Sequence, residues 1–149
     1  MASTNEDAVV LASIRHDDRL LILRHLPDRG TVELGWWTRD EAGSPAQADA
    51  MELAAEAIEV DAFLVLCRQA QAGLQGEPAD GVVLAGSGRL ADGAELVARR
   101  VAGAVLLERA GEEISRVELP ADALDRLVEQ LPKARGRLDL LGFGLPQQG

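Results

Sequence analysis

The chain has 149 residues, 47% of them hydrophobic, which is enough for one domain with its own core and too few for two of ordinary size. Its formal net charge is −10, carried mostly by residues 1–80, where 6 Arg stand against 15 Asp and Glu. Such a balance argues against general electrostatic binding to nucleic acid or to an acidic membrane surface, and favours a protein partner with a basic surface, or self-association.

The N-terminal "MASTNEDAVV" has no basic segment ahead of a hydrophobic run, and the longest unbroken apolar run is the six residues "AFLVLC". Neither a signal peptide nor a membrane span is expected, and the reading is a cytoplasmic protein. A single globular domain over 1–149 is expected, with tails at 1–7 and 142–149. Cys67 lies inside the apolar run, the place of a buried structural thiol.

Three strands open the chain. "AVVLASIR" and "RLLILRHL" meet at a tight His-Asp-Asp corner, and "TVELGWW" follows a Pro-Asp-Arg-Gly turn. Short connections predict antiparallel neighbours. Alternation in the third strand puts Val32, Leu34 and Trp36 on one face and Thr31, Glu33 and Trp37 on the other. "SPAQ" then announces a helix, with Ser44 as cap, Pro45 at the first helical position and Gln47 completing a capping box. Met51, Ala54, Ala55, Ile58, Ala62, Val65 and Leu66 carry it at helical spacing to about Ala72, or to a break near Asp61 with a strand over 62–67.

After the loop "GEPADG" comes "VVLAGSGRLADGAELVARRVAGAVLLER". It reads as a strand, a glycine turn, a helix with Leu90, Ala94, Val97, Ala98 and Val101 on its buried face, and a strand beginning after Gly103. "EISRVEL" adds another strand. Pro120 opens a last helix whose buried stripe is Ala123, Leu124, Leu127, Val128 and Leu131. "AVVLAS" and "ADAMELAAEAI" recur 73 residues later as "GVVLAG" and "ADALDRLVEQL". The segments between these echoes share no period, which weighs against an internal duplication.

This order predicts an α/β fold with a single mixed sheet, its first three strands antiparallel, followed by strand-helix-strand with helices packed on the sheet. It resembles the ribonuclease H-like superfold, shared with the actin-like ATPases and the middle domain of archaeo-eukaryotic release factors, over about residues 8–132. The catalytic acids that the resemblance requires are missing: the first strand reads "AVVLASIR" and the fourth ends "LAGSG". What the resemblance implies is a framework without the ancestral chemistry.

Three candidate sites stand out. Gly86, Ser87, Gly88 and Ala91 fit a G-x-G-x-x-A variant of the dinucleotide fingerprint, and Glu108 follows Gly86 by 22 residues, near the place of a ribose-binding acid. The competing explanation is a tight turn that needs small residues. Asp49, Glu52, Glu56 and Glu59 would form an acidic ridge on one face of the long helix, a docking surface for basic protein or a solvated face. Trp37, facing away from Trp36, would anchor a partner if exposed. The two His and one Cys lack zinc spacing, and no serine has a recognisable base, so neither a metal, a cofactor nor a catalytic set is expected. The sequence therefore reads as a small acidic interaction or regulatory module. The alternatives are a nucleotide-binding, degenerate ATPase-like domain using Gly86 to Gly88, and a nucleic-acid or ribosome-associated factor.

Overall fold

The computed structural model describes residues 8–26, 30–38, 52–56, 59–76, 79–89, 94–110 and 115–140. The expected tails, the Ser44 to Gln47 capping segment and Asp49 lie outside these residues. Strands β1 (Val9–His16), β2 (Arg19–Leu26), β3 (Thr31–Thr38) and β4 (Leu53–Glu56) are followed by helix α1 (Val60–Leu74). Strands β5 (Val83–Arg89), β6 (Glu95–Val101), β7 (Ala104–Ala110) and β8 (Ser115–Pro120) are followed by α2 (Ala121–Leu140). Each group of four forms its own antiparallel sheet in chain order.

The α/β class and the antiparallel opening strands are as expected, whereas the single mixed sheet is not. The architecture is a duplication at the level of topology, four strands and a helix twice over. Of the two sequence echoes only the first joins equivalent elements, β1 and β5. The second joins β4 with α2; the segments between the echoes gave no shared period because residues 95–101, expected there as helix, form strand β6.

Two expected helices are strands, for the same physical reason. Ala94, Val97, Ala98 and Val101 satisfy a helical stripe, but Leu96 would then lie on the polar side. From Ala94 into β6 the period is two: Ala94, Leu96 and Ala98 are buried, while Glu95, Val97 and Arg99 of β6 face out. In "LAAE", Leu53 and Ala55 are buried against β3 and Ala54 and Glu56 alternate with them, so β4 replaces the middle of the expected long helix. Alanine fits both periods, which is why the pattern was ambiguous there. The helix starts only at Val60, and 62–72 continue it as α1.

The turns set the registers. Asp17, at φ +55°, and Asp18 link β1 to β2, pairing His16 with Arg19 and Arg15 with Leu20. Ala102 and Gly103, both at positive φ (+46° and +81°), form the two-residue hairpin between β6 and β7 that the twist of paired strands favours.

The helices are exchanged between the halves. α1 packs mainly on α2 and on β5 and β6 of the second sheet, while α2 packs on α1 and, most extensively among the strands, on β1 of the first sheet. Phe63, Leu66, Cys67 and Ala70 of α1, and Leu124, Leu127, Leu131, Ala134 and Leu138 of α2, join the inner faces of both sheets in one core. A Cβ at Gly73 would come within 3.3 Å of the Leu84 side chain, so this glycine permits α1 to approach β5. The sheets are also tied directly: the Arg116 amide donates to the Glu52 carbonyl (3.1 Å) and the Trp36 indole N–H to the Glu118 carbonyl (2.9 Å). The last helix keeps the stripe read from the sequence and runs on through Pro132 to Leu140, burying Ala134 and Leu138 as well.

Candidate functional site

The outer faces of the two sheets differ. On the first sheet, Leu20, Ile22, Arg24 and Leu26 of β2 lie opposite Trp37, Gly35, Glu33 and Thr31 of β3. Ile22 and Trp37 form a second apolar cluster with Val10 and Leu20, separate from the main core. Arg24 is fully buried beside them and donates from Nε and Nη2 to Glu33 Oε1, at 3.1 and 2.7 Å.

On the second sheet the outer face carries Val83 and Gly86 of β5, Val97, Arg99 and Val101 of β6, Leu106 and Glu108 of β7, and Arg116 and Glu118 of β8. Val83 is 51% exposed and Val82 beside it 43%, whereas Ile22 on the first sheet is 1% exposed. Arg99 Nε donates to Glu108 Oε1 at 2.8 Å, with the arginine side chain 43% exposed. This face is therefore an open, partly apolar surface with one ion pair, Arg99–Glu108, across its two central strands.

A pocket of about 130 Å³ opens at the β1–β2 corner, lined by Arg15, Asp18, Arg19, Leu20 and Trp37. Strand register builds most of it, because Arg15 pairs with Leu20 and Leu20 with Trp37, a row across the outer face of the first sheet. The arginine neighbours extend inward: the Arg19 guanidinium carbon lies 4.2 Å from the centroid of the Trp36 ring, and the Arg15 carbonyl accepts from Arg126 Nη1 of α2 at 2.7 Å. The Trp37 indole N–H is buried and has no hydrogen-bond acceptor among the described residues. Close by, His16 meets Asp122 of α2 (Nδ1 to Oδ2, 3.0 Å) and its ring tilts against Trp36 at 5.9 Å, joining the first half to the second. The His16 hydrogen bond holds the Asp122 carboxyl below its ordinary range.

The expected sites are rearranged. Gly86, Ser87 and Gly88 lie within β5, not at the start of a helix, so the helix N-terminus that would cradle a phosphate there is replaced by an extended strand with irregular pairing between Gly86 and Arg89. Gly86 and Glu108 do share a face, both flanking Val97 across the second sheet, and Glu108 is engaged by Arg99. The acidic ridge is not a helical face: Glu52 precedes β4, Glu56 ends it, and Glu59 precedes α1. Glu52 accepts from the Trp36 amide at 2.9 Å. Trp37 faces away from the main core as alternation predicts, yet only 9% of it is exposed, so it is a pocket wall and not a protruding anchor.

Among the described residues, no group of three His, Cys, Asp or Glu is placed to hold a metal ion, and no helix is long and apolar enough to cross a membrane. Burial pushes the Cys67 thiol up to about 12 and lowers the His25 imidazole below 6.5. Arg15, Asp18 and Arg19 were not singled out from the sequence. The usable signal was the two-residue corner, which by itself sets Arg15 opposite Leu20; carrying the row on to Trp37 needed the register of β2 on β3. No protein-family model, no curated protein and no solved structure matches the chain, so the ribonuclease H-like resemblance rests on the sequence alone.

Proposed function

We propose that the protein is a cytoplasmic interaction or regulatory module without catalytic activity, which docks a protein partner on the outer face of its second sheet. The observation that carries this reading is the contrast between equivalent faces: the first is buried and the second leaves Val83 about half exposed beside Val97, Val101 and Leu106. Exposed apolar side chains that share one face mark interaction surfaces. The net charge of −10 favours a partner with a basic surface and speeds its approach.

The test is affinity capture from the host lysate with nuclease present, using the wild type, Val83→Asp, Leu106→Asp, and Leu140→Asp as a control at an exposed position of α2. The reading expects one stoichiometric protein, lost with either sheet variant and kept by the control, while circular dichroism shows all variants folded. Capture that is unaffected by the sheet variants, no stoichiometric protein, or a partner lost to nuclease would overturn it.

A further inference from the structure

We propose that residues 132–140, the last turns of α2, form a strap that opens from β1 as one unit, hinged at Pro132, while residues 121–131 stay in place. The strap belongs to the cover of the first sheet, and its opening is independent of the surface assigned to a protein partner.

The course of the helix sets the geometry. α2 runs antiparallel along β1: Asp122 meets His16, Arg126 Nη1 donates to the Arg15 carbonyl, and Arg137 Nη1 donates to the Leu11 carbonyl at 2.9 Å. The last of these contacts falls on a bulge. Val10 pairs with Arg24 and Ala12 with Leu23, so Leu11 between them has no counterpart in β2. The strap thus supplies a donor where the ladder between β1 and β2 is interrupted.

The two parts of α2 are unequal. Residues 121–131 bury Ala123, Leu124, Leu127 and Leu131, whereas the strap buries only Ala134 and Leu138 and ends on Leu140, which is 88% exposed. Pro132 has no N–H to donate to the Val128 carbonyl, so the helical hydrogen-bond ladder is broken at the junction. Gly136, inside the strap, is a poor helix former, and packing does not require it: a Cβ there would meet nothing within 4 Å. Residues 121–131 contain neither glycine nor proline. A proline at the junction and a glycine that alanine could replace keep the strap marginal beside a strong stem. Segments with few buried apolar contacts and weakened backbone bonding are those that open below global unfolding.

Two arginines hold the strap closed. Arg137 reaches Leu11 of β1, and Arg135 donates to Asp61 of α1 at 3.1 Å as well as to Asp139 within the strap. Opening breaks the contacts with both elements and uncovers the Leu11 end of β1 together with the seat of Leu138.

The test is native-state hydrogen exchange of the full chain, read amide by amide by NMR in low concentrations of urea. The proposal expects protection to fall at least tenfold on crossing Pro132. The amides of Ala134, Arg135, Arg137 and Leu138 should share one opening equilibrium with little urea dependence, while residues 127–131 follow global unfolding. Gly136→Ala should slow exchange of the strap about fivefold, the weight of one such step in helix propensity. Asp61→Asn, an exposed position on α1, distinguishes a unit from simple fraying. Opening as a unit should speed Leu138 as much as Ala134, by about twofold, the weight of an exposed ion pair. Fraying from the C-terminus frees Leu138 without breaking the Arg135 contact and leaves its rate unchanged. Equal protection on both sides of Pro132, a gradual decline from Leu140 into residues 121–131, no slowing in Gly136→Ala, or no effect of Asp61→Asn on Leu138 would overturn the proposal.

Discussion

The two halves carry the same ion pair in two environments. Arg24 and Glu33 join the second and third strands of the first sheet, and Arg99 and Glu108, also nine residues apart, join the second and third strands of the other. Arg24 stands directly opposite Glu33, both all but excluded from solvent. Arg99 stands opposite Leu106 and reaches diagonally to Glu108, in partial contact with water. The shift follows from the turns: four residues separate the paired Leu26 and Thr31, but only two separate Val101 and Ala104. Same residues and topology therefore yield a buried structural pair in one half and a partly solvated pair on an open face in the other.

Breaking the buried pair should have the largest effect. Arg24→Leu leaves the Glu33 charge without its arginine in a dry environment and should cost about 3–5 kcal/mol in urea unfolding, with much of the loss recovered when Glu33→Leu is added. A change in α1 should show that the halves are not independent. Phe63→Ala, a fully buried site, is expected to cost about 3–5 kcal/mol and to lower amide protection in β5 and β6, the strands that this helix covers.

His25 should make the first half sensitive to mild acid. Its folded pKa is depressed by burial, so the unfolded chain binds the proton more readily. That contribution to stability is complete above pH 6.5 and is lost progressively as the pH falls from there through the lowered folded value. Unfolding curves between pH 7.5 and 5, values typical of a histidine window, should flatten in His25→Gln. The exposed pair should matter least to stability: Arg99→Gln is expected to change it by about 0–1 kcal/mol, a sharp contrast with Arg24→Leu in the same assay. Finally, Cys67, fully buried with its thiol pushed up to about 12, should resist iodoacetamide in the native state and react at once in denaturant.

Legibility tracked the ambiguity of the side chains. β1, β2 and β3 were readable because Val, Ile, Leu and Trp alternate between tight turns, and the late helix because its leucines recur at one period only. β4 and β6 were misread where alanine satisfied helix and strand alike, and in β6 the out-of-place Leu96 was the available warning. The glycine turn was persuasive because Gly-Ser-Gly is common to phosphate cradles and irregular strands; only the partner strand β6 decides between them. The pocket was hidden for another reason, since Arg15 and Trp37 are 22 positions apart and meet through Leu20, a relation that belongs to register and not to local pattern. The helix exchange is a long-range packing choice that no segment encodes by itself.

The contrast between the two outer faces is most directly measured by adding a soluble paramagnetic gadolinium chelate to methyl-labelled protein and recording signal loss methyl by methyl. Strong broadening at Val83, with lesser broadening at Val97 and Leu106, and little at Ile22 and Leu26, is the result that the structure predicts. Equal broadening on both sheets, or protection of Val83, would contradict the account.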